Sequence, residues 1–155
     1  MTIDIRLRSE AFLSGGAIPR RHAGDGENIS PSLKWDRIPD RALELALIME
    51  NKKTSALHWI MYKIPADEVG VPEGVPATGK LEEPYGAFHG RNSFGTPGYR
   101  GPSDSKGSGV SQYRFTLYVL DKEITLSADA DKEALLKAMQ GGLMGSTTLE
   151  GVYEG

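Results

Sequence analysis

Between Leu43 and Glu50 the chain reads LELALIME, with an uninterrupted apolar run from Leu45 to Met49. A strand with one wet face alternates apolar and polar side chains, so a run without alternation requires cover on both faces. That one segment demands a strand with a packed layer on each side. Two more segments read as strands. His58–Ile64 (HWIMYKI), stopped by Pro65, is rich in aromatic and branched residues. Its alternation predicts one face of His58, Ile60, Tyr62 and Ile64 and another of Trp59, Met61 and Lys63. Tyr113–Leu120 (YRFTLYVL) puts Tyr113, Phe115, Leu117 and Val119 on one face and Arg114, Thr116, Tyr118 and Leu120 on the other. Shorter strands are expected at Ile3–Ser9 and around Lys34–Trp35. Only Asp131–Gln140 (DKEALLKAMQ) reads as a helix, capped by Asp129 or Asp131 and stopped at Gly141-Gly142.

The connections carry the rest of the constraint. Nineteen glycines and nine prolines are too much turn material for a helical bundle. They collect in Ser14–Ser32, Pro72–Tyr85 and Gly86–Gly109, and loops of that length are usually functional. Several strands and one late helix point to an antiparallel β-sandwich with a helical appendage. The length of 155 residues suits one domain over 1–155. Without cysteine there is no thiol nucleophile, Cys-type metal site or disulfide framework. A net charge of −3 argues against a dedicated nucleic-acid binder. Met1-Thr-Ile-Asp-Ile-Arg has neither a basic nor an apolar leader region, so a cytoplasmic protein is expected, and no segment has the length of a membrane span.

Motifs of nucleotide chemistry fail: Gly90–Gly109 contains neither GxxxxGK[ST] nor GxGxxG. Ser103-Asp-Ser-Lys106 matches SxxK only by spelling, and no GxSxG is present. His22, His58 and His89 are not spaced for a helix-borne metal pair, so no metal or other cofactor is expected. His58 in its strand reads as a structural imidazole unless other evidence intervenes. His22 and His89, in loops beside arginines, are expected to be solvated. Lys52 and Lys53 read either as a hairpin tip or as a cationic lip on a small pocket for an anion.

Longer blocks are more specific. Phe12-x-x-Gly15-x-x-Ile18-Pro19 precedes Asp25-Gly26-x-Asn28-x-Ser30-Pro31-x-Leu33-x-Trp35. Then follow Leu45-Ala-Leu-Ile-Met-Glu50, His58-Trp59-x-x-Tyr62-x-Ile64-Pro65 and Pro72-Glu-Gly74. Gly90-Arg-Asn-Ser-Phe-Gly95, Gly98-Tyr99-x-Gly101-Pro102 and Tyr113-x-Phe-x-Leu-Tyr118 complete the series. Together, from about residue 8 to the C-terminus, they resemble the phosphatidylethanolamine-binding protein family, most closely its bacterial, Raf kinase inhibitor-like branch.

That resemblance implies two antiparallel sheets with Greek-key connections, a short C-terminal helix, and a small pocket for phosphate-like anions or phospholipid headgroups. The family builds the pocket from an Asp-Pro-Asp-Ala-Pro segment, the histidine of the His-Trp strand, a Pro-Pro loop and a His-Arg-Tyr. Here the histidine is His58 and the tyrosine Tyr113, while the two aspartates fall on Asn51 and Lys53. The Pro-Pro pair falls on Asp104-Ser105, and the His-Arg on Ser111 and Gln112. The expected ligand-binding set is thus Asn51, Lys53, His58, Tyr99, Asp104, Ser111 and Tyr113. Asn51 retains a hydrogen bond to an imidazole but does not favour its cation, Ser111 offers a hydroxyl, and Lys53 reverses a charge. The loop glycines are expected to line the pocket wall. The expectation is a non-enzymatic binding protein with a remodelled anion pocket. The alternative is a protein–protein regulator acting through surface loops, with a protein partner. The bacterial relatives also imply a homodimer.

Overall fold

The doubly apolar segment is a central strand. The computed structural model describes residues 4–84, 86–103 and 109–154. In chain order the strands are β1 (Arg6–Arg8), β2 (Leu33–Asp36), β3 (Glu44–Asn51), β4 (Leu57–Pro65), β5 (Gly70–Val71), β6 (Phe88–His89), β7 (Val110–Leu120) and β8 (Leu143–Glu154), with helix α1 (Lys132–Met139) before β8. Two antiparallel sheets result, one in the order β1-β2-β5 and one in the order β6-β4-β3-β7-β8. β3 sits in the middle of the larger sheet. Leu45, Leu47 and Met49 point into the space between the sheets, against Leu7, Leu33 and Trp35. Ala46 and Ile48 point to the other side, where Leu135 and Met139 of α1 and Ile124 cover them. A small sheet, a large sheet and a helix make three layers, which is why β3 lacks a polar face.

β7 keeps the predicted alternation, with Tyr113, Phe115, Leu117 and Val119 in the inter-sheet core. β4 does not. Ile64 joins Trp59 and Met61 in that core, whereas Ile60 and Tyr62 face the helix. The cause is an extra residue between the pairs Leu47↔Met61 and Leu45↔Ile64, accommodated by Lys63 at φ 56°. A bulge inserts one residue and reverses the facing beyond it. Lys63 thereby reaches the helical side, where its Nζ donates to the Ile124 carbonyl at 2.8 Å.

α1 begins at Asp131, whose Oδ1 accepts the N–H of Ala134 at 2.8 Å. Asp129 instead pairs with Arg91. The helix does not end the fold. Gly141 is followed by the twelve-residue β8, which the sequence pattern did not mark and which pairs along the whole of β7. Among the described residues, no helix is long and apolar enough to cross a membrane.

Candidate functional site

A second register change between β3 and β4 places the site at one end of the large sheet. Opposite Met49 and Glu50 stand Trp59 and Leu57, so His58 is the extra residue of a bulge. Bulges re-aim side chains, and here the imidazole swings against the Tyr113 ring, 5.1 Å away and edge-on. The Phe94 ring meets His58 at the same separation, 5.1 Å, also edge-on. The Nδ1 atom lies 2.7 Å from the Arg100 carbonyl. A carbonyl only accepts, so Nδ1 carries the hydrogen and Nε2 the lone pair. Burial holds the His58 pKa below its ordinary value, opposed by the Arg100 and Gly101 carbonyls and reinforced by the Arg100 guanidinium. His58 is therefore an enclosed, neutral imidazole.

Beside it the β3–β4 connection turns tightly. Asn51 Oδ1 accepts the N–H groups of Lys53 at 2.8 Å and Thr54 at 3.1 Å. Such an Asx turn is a standard use of asparagine, so this side-chain oxygen shapes the turn that carries the lysines. The Lys52 N–H donates to the Gln112 carbonyl at 2.9 Å, tying the turn to β7. The Lys52 ammonium pairs with Glu150 at 3.0 Å, and that contact, with Arg114, holds the Glu150 carboxyl below its usual range. Lys53 has no acid partner among the described residues.

The turn forms one wall of a cleft of about 650 Å³. Asn51, Lys52, Lys53 and Thr54 line it on one side, and Ser103, Val110, Ser111 and Gln112 on the other. Among the described residues the lining contains two lysines, three hydroxyls and two amides but no carboxylate, so it is rich in hydrogen-bond donors. Of the expected ligand-binding residues, the cleft brings together Asn51, Lys53 and Ser111. His58 and Tyr113 pack on each other next to it and are not on its wall; both are almost wholly buried. Tyr99 is a structural partner: its ring stacks edge-on against Trp59 at 5.2 Å, and its hydroxyl donates to the His22 carbonyl at 2.7 Å. Burial pushes that hydroxyl far above its ordinary pKa. Asp104, Ser105 and Gly107 lie outside the described residues. Ser103, Thr54 and Val110 join the lining without having been singled out as ligands; for Ser103, adjacency to the Asp104-Ser105 positions was the available signal.

The remaining histidines differ from expectation. His22 is buried with Nδ1 2.7 Å from the Ile29 carbonyl. His89 is fully buried; its Nε2 accepts from Trp59 Nε1 at 3.0 Å and its Nδ1 donates to the Thr78 carbonyl at 2.8 Å. Neighbouring arginines in sequence said nothing of this, because the chain folds back over both rings. None of the described loop glycines is among the residues lining the cleft. Gly101 abuts backbone: a Cβ there would lie 2.0 Å from the His22 carbonyl oxygen. Gly98 packs on Ala77. Among the described residues, no three His, Asp or Glu side chains group as a metal site requires.

Comparisons with known proteins give this arrangement its lineage. The profile of the phosphatidylethanolamine-binding protein family matches residues 8–154. A UPF0098 protein of Methanothermobacter thermautotrophicus is 43% identical over 152 residues, covering 96% of this chain and 98% of its own length. Another UPF0098 protein, from Pyrococcus abyssi, is 36% identical over 149 residues, covering 94% and 83%. The crystal structure of the phosphatidylethanolamine-binding protein homologue CT736 from Chlamydia trachomatis superposes with a TM-score of 0.87 at 29% identity, over 99% of both chains. Escherichia coli YbcL, described as a member of the mammalian PEBP family, shares the fold at a TM-score of 0.88, over 97% and 98% of the chains at 24% identity. With the family profile spanning residues 8–154 and these relatives matched over nearly the whole chain, the chain belongs to the phosphatidylethanolamine-binding protein family.

Proposed function

We propose that the chain is a non-enzymatic binding protein that takes a phosphate-like anion in the cleft at the β3–β4 turn. The observation that carries this reading is the chemistry of the lining: hydroxyls of Thr54, Ser103 and Ser111 share the cleft with Lys53, which has no acid partner among the described residues, and among those residues no carboxylate lines the cleft. An anion entering there gains charge and donors without displacing an internal ion pair. The family's description brings a phosphoethanolamine headgroup to this chain as the ligand to test first. A binding rather than catalytic role is supported by His58, whose ring is enclosed by Phe94 and Tyr113 and committed to the Arg100 carbonyl. A general base needs a lone pair presented to substrate.

The test is thermal unfolding with inorganic phosphate. At ten times the dissociation constant a single-site ligand adds about 1.4 kcal/mol, which for a chain of this length raises the Tm by roughly 3–6 °C. The substitution Lys53→Glu should remove the shift. No shift in the native protein up to about 20 mM phosphate, or an unchanged shift in the Lys53→Glu protein, overturns the reading.

A further inference from the structure

Arg100 has a fixed backbone and an uncommitted head. Its N–H donates to the His58 carbonyl at 2.9 Å, and its own carbonyl accepts from His58 Nδ1 at 2.7 Å. The side chain is exposed, and its guanidinium has neither an ion pair nor a hydrogen bond among the described residues. It rests on the Phe94 ring, Cζ 4.7 Å from the ring centre. A half-exposed ring is a weak partner for a cation, easily exchanged for an anion. The side chain also neighbours the cleft. Its Nε and the Cβ of Ser103, a lining residue, each lie 3.5 Å from the point a Cβ on Gly24 would occupy. Beside the hydroxyl-lined wall there are thus two cations without acid partners among the described residues: Lys53 on the turn and Arg100 beyond Ser103.

A phosphate held by Lys53 and the hydroxyls engages two terminal oxygens. A phosphodiester has only two. A phosphomonoester has a third, and close to two negative charges at neutral pH. The planar guanidinium fork suits that remaining oxygen and the second charge. We propose that Arg100 is a specificity-determining residue of this site, selecting phosphomonoesters over phosphodiesters. The inference rests on the anion-binding reading of the cleft. It also separates two sources of one chemistry: the headgroup of an intact phosphatidylethanolamine is a diester, whereas a free phosphate metabolite is a monoester.

The experiment titrates the full chain calorimetrically at about pH 7.5, where the monoester is nearly dianionic, with phosphoethanolamine and with glycerophosphoethanolamine. The native protein should bind the monoester at least about tenfold more tightly, an electrostatic preference of the size a charge-assisted bidentate contact provides. Arg100→Gln should abolish the preference by weakening the monoester alone. Arg100→Lys keeps the charge but loses the fork and should retain only part of it. Equal binding of both ligands by the native protein, or equal weakening of both by Arg100→Gln, overturns the selection. Unchanged monoester binding in Arg100→Gln overturns the role of Arg100 while leaving the anion site intact. Failure of both ligands and of inorganic phosphate to bind the native protein overturns the anion reading itself.

Discussion

Replacing His89 by leucine tests whether the buried histidines are structural, and it does so with two independent readouts. His89 bridges Trp59 Nε1 at 3.0 Å and the Thr78 carbonyl at 2.8 Å, and none of its surface is exposed. Leucine fills the space but removes both bonds. The Trp59 indole, also fully buried, is left with an unsatisfied N–H, at a cost of about 1–3 kcal/mol. The Thr78 carbonyl belongs to an exposed residue and can take a water, so its loss is limited to roughly 0.5–1.5 kcal/mol. The expected destabilisation is about 2–4 kcal/mol, or roughly 4–16 °C in Tm for a chain of this length. Glutamine offers an Oε1 close to the position of the imidazole Nε2, so His89→Gln should recover the indole bond and about half the loss.

The second readout is pH. Burial holds the folded-state pKa of His89 below its ordinary value of 6.5, against the Thr78 carbonyl. The unfolded chain therefore binds the proton first, and stability falls as pH drops through 6.5 towards the folded value. Below pH 6.5 this one group therefore lowers the stability of the native protein and not that of His89→Leu. His58, shifted in the same direction, is present in both proteins and cancels in the difference. Urea unfolding followed by far-UV circular dichroism measures both effects without relying on indole fluorescence, which the substitution itself perturbs. A loss below about 1 kcal/mol at pH 8, or a gap between the two proteins that does not narrow at pH 5.5, refutes the reasoning.

Two further outcomes follow from local geometry. Asp131→Ala removes the only side-chain cap of α1 and should cost about 1 kcal/mol by urea unfolding, with Asp131→Asn nearly neutral. Gly101→Ala places a methyl 2.0 Å from the His22 carbonyl oxygen; the backbone must move, and a loss of about 2–3 kcal/mol is expected. A Gly101→Ala protein of native stability would mean that the two segments are not held this close.

The parts of the fold legible in the chain are those where local pattern and tertiary environment agree. β3 shows cover on both faces because every residue from Leu45 to Met49 is apolar. β7 shows a two-sided strand because its alternation is unbroken, and α1 shows its start because Asp131 caps it locally. β8 was not legible. Its sequence, LMGSTTLEGVYE, has glycines, short polar residues and no clear period, and it is a strand because β7 offers it an eleven-pair template. Strand preference depends on such neighbours more than on the residue itself.

The candidate site divides in the same way. Sequence resemblance brought Asn51, Lys53 and Ser111 to one place, and the cleft contains them together. It also grouped His58 with them, but one inserted residue in β4 turned that ring away against Tyr113 and Phe94. Arg100 carried no signal in sequence, because its position beside Ser103 depends on a loop pinned to His58 by one backbone hydrogen bond and one from the imidazole. By itself, then, the sequence determined the family, the β-rich layering and the identity of the groups available at the β3–β4 turn, since these follow from residue type and short-range order. The tertiary structure alone decided which histidines are buried, which face each residue of β4 takes, and which cations stay unpaired. Those outcomes depend on bulges and on backbone contacts between segments far apart in the chain, where a shift of one residue reverses the direction of a side chain.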